Sequence, residues 1–439
     1  MFQSRSESPS WGRVVRAPDE VARPRWRDEL ACAVTQAASG PNGGLAAGLG
    51  RSYGDSGLNP GGRTIDMTGL DRVHAFDPRT GVLRADAGLS LDGAIRLGLP
   101  HGRFPPVVPG TKNVTLGGAV ANDVHGKNHH AAGTFGAHVR RLGLRRTDGG
   151  THDIGPGDPL FAATIGGLGL TGVVEWVELQ LAPTAGAWLD NEDIAFGSLD
   201  EFFALAAESE ASHQHTVAWV DCTAQGAGLG RGIFSRANWS ASTDRTAHRP
   251  PRLAVPLDAP AFLMNTLTLK AFNALFYGLG RARAGRRRAH YEQVFFPLDA
   301  IGGWNRLYGA PGFYQHQCVI PDPAARDAIA ALLREIARSG TGSFLAVLKT
   351  LGAIPSPGML SFPMKGVTLA LDFPNRGAQT LGLLERLDAV VREAGGRLYP
   401  AKDGRMSPET FAAGFPRLDD FLPHIDPGLS SGFWRRVRP

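Results

Sequence analysis

Apolar residues at Leu30, Ala33, Val34 and Ala37 recur at helical spacing, and Gly40-Pro41 ends that run. The period then shortens. Leu45-Ala46-Ala47, Thr64–Met67, Val73–Phe76 and Val82–Ala87 are brief apolar or alternating segments that predict strands, with a turn at Pro78–Gly81. A second helix is expected over Leu89–Leu99. Further strands follow over Val139–Leu144, Thr151–Ile154 and Gly172–Leu181, with a D-G-G turn at Asp148–Gly150. Short elements with dense turns predict an α+β unit up to that point.

The pattern changes after Pro183. Glu201–Glu210 reads as a helix and Thr216–Asp221 as a strand, while Ser235–Arg252 has little periodicity. Ala261–Gly280 is apolar and aromatic, carrying Phe262, Leu263, Leu267, Phe272, Leu275, Phe276 and Tyr277, and runs into R-A-R-A-G-R-R-R at Arg281–Arg288. Two readings stand for it: a helix packed on its own domain with a solvated basic end, or a segment meeting an anionic membrane surface. Strands are then expected at Glu292–Phe296, Tyr314–Ile320, Ser343–Lys349 and Val367–Phe373, with helices at Ala324–Ser339 and Leu381–Ala394. This predicts a sheet with helices on one face. Alternation within Tyr314–Ile320 sets Gln315, Gln317 and Val319 on one side and His316 and Cys318 on the other.

The chain has 439 residues, which calls for two domains rather than one core. With 43% hydrophobic and 20% charged residues it is a globular protein, and 57 glycines favour tight turns over long helices. Cys32, Cys222 and Cys318 are odd in number and widely spaced, so neither a disulfide framework nor a structural zinc site is expected, and a reducing compartment fits. No apolar segment follows M-F-Q-S-R-S-E-S-P-S and no run reaches the length of a membrane span, so neither a signal peptide nor a transmembrane span is expected. The expected location is cytoplasmic or peripheral to a membrane. A net charge of +5 permits an anionic partner without requiring one, and no recognition module points to nucleic acid.

Two glycine-rich segments carry the chemistry. Gly48–Gly62 reads G-L-G-R-S-Y-G-D-S-G-L-N-P-G-G, which is neither the G-x-G-x-x-G of a Rossmann unit nor a P-loop. Its backbone amides, with Ser52, are suited to cradle a pyrophosphate; the bland alternative is a tight turn cluster. Pro109–His130 reads P-G-T-K-N-V-T-L-G-G-A-V-A-N-D-V-H-G-K-N-H-H. His125, His129 and His130 crowd its end, but the glycine-rich setting argues against the helix that would converge them, and no metal site is expected. His129 and His130 are read as structural hydrogen bonders.

Together with G-G-L-G-L-T-G-V-V at Gly166–Val174 and L-Y-P-A-K-D-G-R at Leu398–Arg405, these segments resemble the vanillyl-alcohol-oxidase-like flavoproteins. Within them the order and spacing resemble the decaprenylphosphoryl-β-D-ribose 2-oxidase family, from about Trp11 to the C-terminal region. The resemblance implies an α+β, two-domain (PCMH-type) FAD fold: residues 1–190 plus 397–439 around the cofactor, with an inserted α+β substrate domain over 191–396.

It implies FAD held by Gly48, Gly50, Arg51, Ser52, Tyr53, Gly54, Gly110, Thr115, Leu116, Gly117, Gly118, Asn122, Asp123, His125, Val174 and Tyr399. Arg51 stands where covalent relatives often place a histidine, so the FAD is expected to be non-covalent. Lys402, His125 and Tyr308 are the implied catalytic residues. Lys127, Gln315, Gln317, Lys349 and Thr368 are the implied substrate contacts. The implied reaction oxidises the C2 hydroxyl of a lipid-linked ribose, and a keto-sugar reductase acts next to complete an epimerisation. Two positions depart from the family, where Thr368 replaces an asparagine and Ala370 a cysteine. An oxidase of free alditols or aldonolactones is the alternative activity.

Overall fold

The computed structural model describes residues 2–251, 253–260 and 264–438. Arg252 and the Ala261, Phe262 and Leu263 of the aromatic run lie outside the described residues.

Three sheets organise the chain. The first has four strands in the order Gln3–Pro9, Arg16–Ala22, Arg63–Asp66, Gly44–Ala47. The helix Arg27–Ala38 lays Leu30, Ala33, Val34 and Ala37 onto it, against Ala22 and Ile65. The second sheet is antiparallel and has five strands: Val73–Asp77, Val82–Asp86, Val173–Gln180, Val139–Arg145 and Thr151–Ile154. Its buried face meets the helix Leu91–Gly98, which Ser90 caps through the Gly93 amide.

The third sheet is antiparallel and has eight strands. Their order is Gly285–His290, Trp188–Phe196, Gly232–Trp239, His215–Val220, Ala346–Leu351, Gly366–Pro374, Phe313–Pro321 and Arg397–Leu398. Helices Ala325–Ser339 and Ala378–Glu393 cover one face, as their spacing predicts. Ile329, Leu332, Leu333, Ile336, Leu383, Leu384 and Leu387 are all essentially inaccessible there. Each such side chain contributes about 1.5–3 kcal/mol by leaving water. The opposite face, with Gln315, Gln317, Lys349 and Thr368, is turned to a cavity.

Beyond the third sheet the chain returns to the first loop. The Tyr53 amide donates to the Ala401 carbonyl at 2.9 Å. Gly54 passes so close that a Cβ there would lie 1.7 Å from the Asp403 carbonyl oxygen. Asp388, buried on the helix Ala378–Glu393, fixes this return: it accepts from Arg405 at 2.6 and 2.7 Å and pairs with His316 at 3.1 Å. Burial works against its charge, but those partners outweigh it and hold the carboxyl down at about 2.

Four expectations need correction. Glu292–Phe296 is not a strand; Tyr291–Phe295 is a helix whose Tyr291 and Phe295, one turn apart, fill the core of the second sheet. Ser235–Arg252 is not uniformly irregular, because Gly232–Trp239 pairs between two strands of the large sheet. The arginine run is a helix end only in part: Arg281 lies in the last turn of the helix Thr266–Ala282 and Arg283 caps it, whereas Arg286, Arg287 and Arg288 lie on an edge strand beside Glu192, Asp193 and Asp190. Nor is that helix apolar-side-in. It buries Leu269 and Asn273 and rests Phe276 on Trp219, yet Leu267 and Leu275 are 79% and 62% exposed.

Candidate active site

A cavity of about 560 Å³ runs from the glycine-rich loops to the open face of the large sheet, within the range of small-molecule and cofactor sites. Its first end is backbone. Gly50 takes a left-handed φ of +62°, and the space where its side chain would stand is empty. That turn leaves the amides of Gly50, Arg51 and Ser52 without acceptors among the described residues. Gly48, Tyr53, Gly54, Gly110, Thr115, Gly117 and Gly118 line the same end. Thr115 caps the short helix Leu116–Ala121 by accepting from the Gly118 amide at 3.1 Å. Arg51 is held over Trp11, 4.3 Å from its ring centroid, with a guanidinium bond to the Leu49 carbonyl. Unsatisfied amides beside a cation fit a pyrophosphate, and the apolar walls at Val174 and Ala401 suit a flat ring system. The donor set fits FAD.

The other end is made of side chains. His125 packs against the stacked pair Phe362 and Tyr399, with centroids 5.4 and 5.3 Å away. Gln317 Nε2 donates to His125 Nε2 at 3.1 Å and lies 3.4 Å from Thr368 Oγ1. Burial, then the charges of Lys349, His129 and Lys402, press the His125 pKa well below its usual value, so the ring is neutral near pH 7. Lys402 sets its ammonium 3.8 Å from the Tyr53 ring centroid. Its pKa is depressed by burial, with Asp372 pulling back the other way. Lys349 is pushed down to about 7 by burial and by Lys127 and Lys402.

Most of the residues named from the sequence therefore meet in one cavity, including Asn122, Val174, Gln315, Gln317, Lys349, Thr368, Tyr399 and Lys402. Four do not line it. Lys127 is buried and gives its ammonium to the Val294 carbonyl. Leu116 is core. Asp123 accepts from Ser361 Oγ at 2.5 Å and from the Gly136 amide at 2.8 Å. Tyr308 is 4% exposed, stacked on Phe313, with its hydroxyl 3.5 Å from Asp372. His129 accepts from the Gly352 amide and His130 bonds the His213 carbonyl, at 3.2 and 2.8 Å.

A family model described as "FAD binding domain" matches residues 18–155. A decaprenylphosphoryl-beta-D-ribose oxidase of Mycolicibacterium smegmatis is 39% identical over 430 residues, covering 94% of this chain and 92% of its own. The chain belongs to the decaprenylphosphoryl-β-D-ribose oxidase family. It is an FAD-dependent oxidoreductase of α+β fold. An uncharacterised protein of Streptomyces coelicolor is 37% identical over 346 residues, 76% of this chain and 94% of that one. An L-gulono-1,4-lactone dehydrogenase of Mycobacterium tuberculosis is 33% identical, but over 187 residues, only 40% of this chain. No helix among the described residues is long and apolar enough to cross a membrane.

One residue of this family member escapes a reading by motif. Asp372 is 1% exposed and lies on the cavity face of the sheet beneath Gln315 and Tyr308, accepting from Gln315 Nε2 at 2.6 Å. The signal was present in G-V-T-L-A-L-D-F-P: period two puts Thr368, Ala370 and Asp372 on one face, and the register sets Asp372 opposite Gln315.

Proposed function

We propose that this protein oxidises the C2 hydroxyl of a polyprenylphosphoryl ribose to the 2-keto sugar, using non-covalently bound FAD. Near-full-length kinship to a decaprenylphosphoryl-beta-D-ribose oxidase carries this reading, since the lactone-oxidising relative matches only 40% of the chain. In this reading residues 1–190 with 397–439 form the cofactor domain and 191–396 the substrate domain.

When bound, FAD supplies the two-electron acceptor for the hydride that leaves C2. The chain supplies the rest. The amides of Gly50–Ser52 and the loop Gly110–Gly118 hold the anionic end of the cofactor. Lys402 donates from its ammonium to the reacting centre, where negative charge grows. His125 is neutral and its Nε2 lone pair is engaged by the Gln317 amide, so it takes the hydroxyl proton there as that bond gives way. Gln315, Gln317, Lys349 and Thr368 orient the sugar from the sheet, and a threonine in place of the family's asparagine sets a different hydrogen-bonding partner beside Gln317. Lys127 and Tyr308 support this wall from behind. The keto sugar is the substrate for a reductase that completes the epimerisation.

The test is anaerobic titration of the yellow protein. Polyprenylphosphoryl ribose is expected to bleach the flavin, and bleaching by an alditol or aldonolactone but not by the lipid-linked ribose would overturn the assignment. A lipid-linked substrate also gives the helix Thr266–Ala282 a role. Its outward Leu267, Leu275 and Leu279, with Lys270, Arg281 and Arg283, match an anionic membrane surface. Flotation with anionic vesicles but not with neutral ones is the expected result; failure to float with either removes that contact.

A further inference from the structure

Both cations at the sheet end of the cavity, Lys349 and Lys402, lack a hydrogen-bonded or ion-paired carboxylate among the described residues. Lys127, buried nearby, adds a third positive group to the same region. A pocket of ammonium groups alone would shed protons as it closes, because each charge penalises the next and burial penalises all three. Asp372 is the carboxyl placed to oppose this. Gln315 Nε2 donates to its Oδ1 at 2.6 Å, Tyr308 OH lies 3.5 Å from its Oδ2, and its own amide donates to Ser343 Oγ at 3.0 Å. None of these partners is cationic. A fully buried carboxylate with only neutral donors is costly unless a cation shares its field, and Lys402, which sits over the Tyr53 ring and lines the same cavity as Gln315, is the cation whose charge reaches it.

We propose that Asp372 is the counter-charge of the active site: buried beneath Gln315, its carboxylate supports the Lys402 ammonium and fixes Gln315, positioning both without touching substrate. The inference rests on the role given to Lys402 above. The titratable groups facing this pair are Tyr53 from the first loop, Tyr308 from the segment Trp304–Tyr308, Lys349 from the neighbouring strand, and His125 with Lys127 beyond it. Burial raises both tyrosines and lowers His125, so these three are neutral near pH 7. Charge around neutrality is therefore exchanged among Asp372, Lys402, Lys349 and Lys127. Burial raises Asp372 and lowers Lys402, and each opposes the shift of the other. The charged Lys402 is the donor, so activity falls as pH rises through its pKa. Removing Asp372 moves that fall to lower pH.

The experiment is an NMR titration of the FAD-bound protein with ε-13C-labelled lysine, the Lys402 signal being assigned by its loss in K402M. In D372N the Lys402 midpoint is expected to fall by about 1 pH unit or more, and D372E to restore it in part. The alkaline limb of kcat should move by the same amount with KM little changed. In K402M the Asp372 carboxyl, read by 13C, should titrate correspondingly higher, which keeps the test available if D372N does not fold. A Lys402 midpoint unmoved in folded D372N, or an Asp372 midpoint unmoved in K402M, would overturn the proposal. These titrations need no substrate, so a failure of polyprenylphosphoryl ribose to react leaves their result intact.

Discussion

The two ends of the cavity solve opposite electrostatic problems with different parts of the chain. At the glycine-rich end the work falls to backbone amides, whose positions are set by turns and whose partial charges do not titrate. At the sheet end it falls to side chains, Lys402, Lys349, His125 and the buried Asp372, each displaced from its ordinary pKa by the others and by burial. A cofactor's phosphates keep their charge throughout a turnover, so a fixed cradle suffices. A reacting hydroxyl changes its charge within the cycle, so the groups around it must be able to exchange protons. The difference teaches that the first end is tuned by shape and the second by charge balance.

The return segment Leu398–Arg405 touches both ends, so cutting its anchor should abolish the distinction. Asp388→Ala leaves Arg405 and His316 buried without their carboxylate, a loss of about 3–5 kcal/mol, and is expected to lower thermal stability, FAD retention and turnover together. The sign with pH follows from the depressed carboxyl: its stabilisation is complete above the ordinary 3.8 and is lost as pH falls towards about 2. Acid unfolding of the variant should therefore lack that component, measured by circular dichroism melts across the range.

Lys402→Ala separates the two ends. Rapid flavin reduction by substrate should slow by about 10²–10³-fold, read by stopped-flow absorbance. The FAD should remain bound and be released on acid precipitation, whereas undiminished reduction would remove Lys402 from its role.

Gly50→Val acts on the other end, with the smallest expected effect. The left-handed φ of +62° costs a branched residue about 1–2 kcal/mol, so FAD should bind roughly 5–30-fold more weakly by fluorescence titration. At saturating FAD the reduction rate should recover; if it does not, the two ends are not independent.

Much of this was legible in the sequence, for reasons that differ by element. The helix at Ala325–Ser339 carries a clean period because one side of it is buried in the core, while the strand at Phe313–Pro321 is buried on both faces from His316 to Ile320 and was legible from its apolar and β-favouring residues. Glu292–Phe296 misled because Val294, Phe295 and Phe296 are β-favouring residues, while the decisive contacts of Tyr291 and Phe295 come from the distant second sheet. The glycine loops and Lys402 could be singled out because their residue patterns are local in sequence, and the fold brings them to one cavity. The positions of Lys127 and Tyr308 behind the wall were not, since burial depth depends on which strands become neighbours. Asp372 was half-visible: its face followed from alternation, but its purpose needed the side chains of Gln315, Tyr308 and Lys402.

The contact of Tyr53 and Gly54 with Ala401 and Asp403 also has a consequence for biosynthesis. A nascent chain displays both glycine loops long before the segment that closes on them has been made. Capture of the cofactor is thereby coupled to completion of the polypeptide, and a product stopped before Leu398 would emerge colourless.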